Sequence, residues 1–314
     1  MGVMALQGGI WKGSFLPALA VLGALLALSA RAEPLPASCR SDHPLEGRVA
    51  SVAMDGSIVL DVSAALSGPQ NTSPANSREN VRLADIGNDE GAHKASIQPA
   101  LNALIGRRIV AHPIHAKPDR WGRVVSHVEV VGAESIFSHR FWLQADLVLA
   151  GLAEVRPQGS HVGCAAALFK GEEAARNAGR GVWRSAAAPT VEHRRNASIS
   201  DDLRGGAPVA GRSAGRGVLS ARDAQLAKQA NGYRIVAGIV VSVGATSRTL
   251  YLNFGRDWSR DFTVTIPVDR EAAFREVGRE PKALAGRYVR VRGWMREWNG
   301  AQIAVRYPDQ IEVF

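Results

Sequence analysis

Only two cysteines, Cys39 and Cys164, occur in 314 residues, so the chain is neither a disulfide-dense scaffold nor a cysteine-rich zinc protein. Aromatic residues make up 6% of the chain and charged residues 21%. With 46% of residues apolar there is still enough to build sizeable cores, which excludes global disorder. Long apolar runs are also missing: the longest, FLPALAVLGALLALSA, is short of the roughly 20 residues that a membrane-spanning helix needs. Nor does any serine or histidine stand in a nucleophile-elbow context.

That one apolar run follows Lys12 and ends at Ala30-Arg31-Ala32, the pattern of a secretory signal peptide. Residues 1–32 are therefore expected to be removed, leaving an exported protein, periplasmic or secreted, with no stable membrane insertion after cleavage. The alternative is an uncleaved anchor. The segment carries Lys12 and Arg31 and no acid, so its loss takes the net charge from +9 to +7. A surplus of this size hints at polyanionic partners. In an oxidising compartment an even cysteine count predicts a Cys39–Cys164 disulfide, the alternative being two separate buried thiols.

The mature length suits two domains. From Gly47, GRVASVAM and SIVLDV flank Asp55-Gly56 as a hairpin, and VRLADI, RRIVAH and GRVVSHVEVV read as further strands. Three helical stretches accompany them: AHKASIQPALNALIG (with Pro99 marking a kink or late start), WLQADLVLAGLAEV and CAAALFKGEEAARNAG. The expected first domain, 44–186, is α+β, built on a small five-stranded barrel. Residues 187–232 read as a linker in which LSARDAQLAKQA forms a short helix. From Tyr233 to 314 a run of short strands with one helix predicts a second small barrel, with no evident sequence repeat between the two.

The order of elements in the first domain, VRLADIGNDE, an A-x5-L helix, DRWGR, LVLAGLAEV and E-x-x-A-R-x4-G-V-W, resembles the staphylococcal-nuclease-like (thermonuclease) family over residues 46–184. The resemblance implies an OB barrel with three helices that hydrolyses phosphodiesters of DNA and RNA. It would use a calcium ion, a glutamate that activates water and two arginines that clamp the charged transition state. By position these are Arg82, Glu90 and Arg123. The family's side-chain calcium ligands fall on Ser57 and Gly87, so the divalent-cation site departs from the pattern. Asp55, Asp85 and Asp89 could form a displaced site, or the loop could be a solvated acidic turn on a scaffold that only binds. His112, His115 and His127 are read as surface or satisfied residues, not as zinc ligands.

In RYVRVRGWM, Tyr288, Arg290, Arg292 and Trp294 share one strand face, and aromatics interleaved with arginines suit nucleic-acid binding. Three functions stay open: an exported nuclease, weakened by its altered metal site; an inactive nuclease-like module that binds nucleic acid or a protein partner; and an envelope protein whose barrels only pack.

Overall fold

The computed structural model describes residues 33–62, 77–87, 91–132, 140–159, 162–184, 216–223, 230–257 and 259–314. The expected signal segment 1–32 and most of the expected linker lie outside the described residues. No helix among those described is long and apolar enough to cross a membrane.

Five strands close the first barrel: β1 (Leu45–Val52), β2 (Ile58–Val62), β3 (Arg78–Leu83), β5 (Arg108–Pro113) and β6 (Val124–Val131). They run β3-β2-β1-β5-β6, and a parallel β3–β6 pairing closes the ring. This connectivity is compatible with an OB-like fold. Alternation explains which side chains face in: Leu45 and Val49, Leu60 and Val62, Val81 and Leu83, and Val128 and Val130 are all buried, with polar residues between many of them. A register shift between Val49 and Ser51 bends β1, as closing a small barrel requires. The Asp55-Gly56 turn joins β1 to β2 as the sequence predicts, with Gly56 at φ 79°, where a side chain would be strained.

Helix α1 (Gly91–Asn102) contributes Ile97 and Leu101 to the barrel core. It runs through Pro99 without a break, so the proline neither ends nor delays it. Two short strands, β4 (Ile86–Gly87) and β8 (Glu154–Val155), pair with each other, and β7 (Arg140–Trp142) extends β6. Helices α2 (Leu143–Leu149) and α3 (Cys164–Asn177) pack together. The Cys39–Cys164 disulfide, Cα atoms 5.7 Å apart, ties the segment before β1 to the start of α3. Such a bond fits a compartment outside the cytoplasm.

The second set of strands is β9 (Leu219–Ser220), β10 (Gly232–Ile239), β11 (Ser242–Ala245), β12 (Thr249–Asn253), β13 (Thr263–Pro267), β14 (Tyr288–Glu297), β15 (Ala301–Ala304) and β16 (Ile311–Val313). β10 and β11 are arms of one bent strand. At the bend the Val240 amide donates to Arg287 and the Val241 amide to Asn253. Counting that strand once, the order is β11-β12-β13-β15-β14-β10, with β13 and β15 parallel. The first barrel has the same connectivity, and α4 (Glu271–Glu276) follows the third barrel strand much as α1 does. The helix expected to begin at Leu219 starts instead as β9, paired in parallel with β10.

The barrels are docked. Ala175, Trp183 and Ile235 form a small shared core. Arg292, wholly buried, donates to Glu172 (2.9 Å), to the Val155 carbonyl (3.2 Å) and to Glu312 (2.8 Å), and lies 4.0 Å above the Phe169 ring. The Tyr233 hydroxyl donates to the same Val155 carbonyl, and Asp309 accepts the Gly163 amide at the start of α3.

Candidate functional site

Chain pairing brings the two expected arginines to one flank of the first barrel. Arg82 on β3 lies opposite Val125 on β6, and Arg123 immediately precedes Val124, the partner of Val81. Val81 and Leu83 point into the core, so by alternation Arg82, Val125 and Arg123 share the outer face. The turn before β6 is organised by Asp119. Its carboxylate accepts the Trp121 and Arg123 amides, both at 2.9 Å, and the Arg123 guanidinium. Gly122, at φ 73°, lets the chain double back between them.

Arg123 is held on a second side by Asp55, whose Oδ2 accepts its Nη1 at 2.9 Å. Burial alone would push the Asp55 and Asp119 carboxyls up. Hydrogen bonds from Ser57 and Arg123 to Asp55, and from Arg123 and Trp121 to Asp119, outweigh that and hold both below the usual carboxylate range. Burial would lower the Arg123 guanidinium, but the two acids raise it, so it stays a firm cation. Trp121 is 60% exposed, with the Arg120 guanidinium 3.9 Å from its ring centre and that of Arg123 4.8 Å away. An exposed indole with two guanidiniums close by is a surface for stacking planar rings beside anionic groups.

Two of the three expected metal ligands are engaged by other partners. Asp55 is committed to Ser57 and Arg123. Asp85 is fully buried in a left-handed conformation (φ 56°); it accepts the Gln158 amide at 2.8 Å, and its other oxygen lies 3.3 Å from His127 Nε2. It pins the chain after β8 to the end of β3, and solvent does not reach it. Asp89 and Glu90 lie outside the described residues. Among the described residues no three of His, Cys, Asp and Glu group as a metal site would require.

An arginine the sequence reading passed over occupies part of this region. A Cβ on Gly87 would overlap the Arg156 guanidinium. The β4–β8 pairing, Gly87 opposite Glu154, brings Arg156 there, and Glu154 Oε1 accepts its Nε at 2.7 Å. From the second barrel, Tyr233 and Trp294 offer their rings to its guanidinium at 4.7 and 5.7 Å. Only the three-dimensional pairing reveals this placement, since nothing in the local sequence around Arg156 marks it.

No protein family matches the chain, and no curated protein does either.

The second expected surface is also rearranged. Of the four residues on the outer face of β14, Arg290 and Arg292 are buried against the first barrel, Arg290 near Glu173 (3.6 Å) and Glu312 (3.4 Å). They are docking residues and do not form an open face for nucleic acid. Tyr288 is half-buried beside Phe314, and Trp294 alone of the four is exposed, at 53%. His112 and His127 are structural, and His115 is exposed. His112 Nε2 sits 3.0 Å from the buried Glu129, and its Nδ1 accepts the Ser41 amide. Burial holds the His112 imidazolium below the usual range against the pull of Glu129. His127 packs edge-on to Trp142.

Proposed function

We propose that this chain works outside the cytoplasm and binds single-stranded nucleic acid on the flank of its first barrel that carries Arg82, Arg120, Trp121 and Arg123. The observation that carries this reading is the exposed Trp121 ring with the Arg120 and Arg123 guanidiniums close by, in the turn that leads into β6, the strand that pairs with Arg82. A stacking indole with nearby cations suits bases and phosphates together, and the +7 net charge expected of the exported chain is in keeping with a polyanionic ligand. The disulfide supports the location.

A second reading, phosphodiester hydrolysis of DNA or RNA as in the thermonuclease-like family, is favoured by one specific feature: Arg82 and Arg123 share a face, as a pair that clamps a phosphate must. Against it stand the burial of Asp85, the double engagement of Arg123 and the arginine beside Gly87. Binding is therefore the main conclusion.

The test is fluorescence anisotropy of the mature protein with labelled single-stranded DNA and RNA across a salt series, with gel assays for cleavage with and without calcium. Expected are binding that weakens steeply with salt and a loss of affinity in Trp121→Ala, on the order of 1–3 kcal/mol. Binding that ignores salt and Trp121 would sink the proposal. Cleavage that falls by roughly 10²–10³ in Arg82→Ala, with substrate affinity little changed, would replace it with the second reading.

A further inference from the structure

β14 has two ends with different fates. Its first half, through Arg290 and Arg292, is buried against the other barrel, while its second half leaves the interface and carries Trp294-Met295-Arg296-Glu297-Trp298 into solvent. Met295 points into the second barrel's core, so by alternation Trp294 and Arg296 face outward together. Trp298 follows in the turn to β15, its amide bonded to the Gly300 carbonyl. Trp294 is 53% exposed and Trp298 66%. A tryptophan left this open sacrifices a large apolar burial, and two within five residues mark a functional surface.

Further details limit what could lie on it. The Trp294 ring is held edge-on by Tyr233, 6.4 Å away at 86°, and approached by the Arg156 guanidinium, so the indole is steadied without being covered. Arg296 directs its Nε to the neutral side-chain carbonyl of Gln302 at 2.9 Å, and no carboxylate among the described residues pairs with it, so its charge stays available to an anion. The two barrels share a connectivity, and the turn joining the fourth to the fifth barrel strand carries an exposed tryptophan in both: Trp121 in the first and Trp298 in the second.

We infer that Trp294, Arg296 and Trp298 form a second subsite for single-stranded nucleic acid, with the two indoles stacking unpaired bases and the guanidinium contacting the intervening phosphate. Aromatic, cation and aromatic along one edge match the alternation of base and phosphate in a single strand. A duplex keeps its base faces stacked and offers the indoles nothing. The inference rests on the nucleic-acid reading of the first barrel and extends it to a strand that touches both barrels.

The test measures anisotropy of the whole mature chain with a labelled single-stranded DNA of about 16 nucleotides, the upper range of site size for one such barrel. Trp294→Ala and Trp298→Ala are each expected to weaken binding by roughly 5- to 150-fold, and Trp294→Phe to keep most of the affinity. Arg296→Ala should flatten the slope of log affinity against log salt by about 0.7, one phosphate contact on a single strand. All three positions are exposed, and unchanged thermal melting would verify that the variants fold. If Trp121→Ala weakens binding while the Trp294→Ala/Trp298→Ala double variant binds like the wild type, this subsite is wrong and the first-barrel reading stands. If the wild type binds no single strand, both fall. Equal affinity for single strand and duplex would also overturn the subsite.

Discussion

Replacing Arg292 by methionine should destabilise the whole molecule, not the second barrel alone. In the native state the guanidinium is fully buried between Glu172, itself wholly buried, and Glu312, with the Val155 carbonyl as a further acceptor. Methionine fills much of the same volume and keeps the contact with Phe169. It leaves Glu172 with the Val155 amide at 2.7 Å and with Arg176, which is no nearer than 4.0 Å. Breaking a buried pair from one side typically costs about 3–5 kcal/mol, because a desolvated charge is stranded. For a protein of this size that is roughly 6–20 °C in Tm. Replacing the pair with well-packed neutral residues is often nearly harmless, so Arg292→Met/Glu172→Gln should recover a good part of the loss. Circular dichroism melts of the wild type, both single variants and the double variant form the cycle that reads the coupling. After limited proteolysis in the linker, the barrels of Arg292→Met should separate on gel filtration, while those of the wild type stay together. An Arg292→Met melt matching the wild type, with no coupling in the cycle, would refute the docked arrangement.

Three further outcomes are expected. Asp146 is buried at the start of α2, and burial pushes its carboxyl up to about 6; the stability it contributes is complete below the unfolded value near 3.8 and is lost as pH rises through about 6. Asp146→Asn should therefore stabilise the protein near pH 7.5 by about 1–3 kcal/mol and remove that part of the pH dependence, as read by melts from pH 4 to 8; no gain at pH 7.5 would contradict the burial argument. Removing the Cys39–Cys164 bond, which spans 125 residues, by Cys→Ala at both positions should cost up to about 5 kcal/mol in urea titrations, and an unchanged midpoint would count against it. Gly87→Ala should destabilise by about 1–3 kcal/mol because its Cβ meets Arg156, and Arg156→Ala in the same chain should relieve most of that penalty; two additive losses would mean the contact is not the cause.

Strands β1, β2 and β12 were legible because half-buried strands alternate, whereas β5, β6 and β13 are buried on both faces and read only as short apolar runs. The disulfide was legible from its even count and the expected compartment, and α1 was found despite Pro99. What the pattern could not say is what covers an outer face. In β14 alternation grouped Arg290 and Arg292 with Trp294 correctly, yet buried the arginines under a partner more than a hundred residues away in sequence. Asp85 misled for a similar reason. It stands in an acidic stretch that reads as solvent-exposed, but its partner is the amide of Gln158, and only the closed barrel brings the two together. Arg82 and Arg123 were matched by position, and the parallel β3–β6 register supplies the physical reason they share a flank.

The contact between Asp309 and the Gly163 amide has a consequence for how the molecule is made. The start of α3 receives that acceptor from 146 residues downstream, and Glu172 waits for an arginine 120 residues downstream. In an exported chain these partners become available only after the later residues have crossed the membrane. Until then the first half of the chain carries an unfinished helix end, a carboxylate without its arginine, and the open apolar patch of Ala175 and Trp183. The five strands of the first barrel lie within residues 45–131, so it is the docking of the barrels that waits for residues 292 to 309.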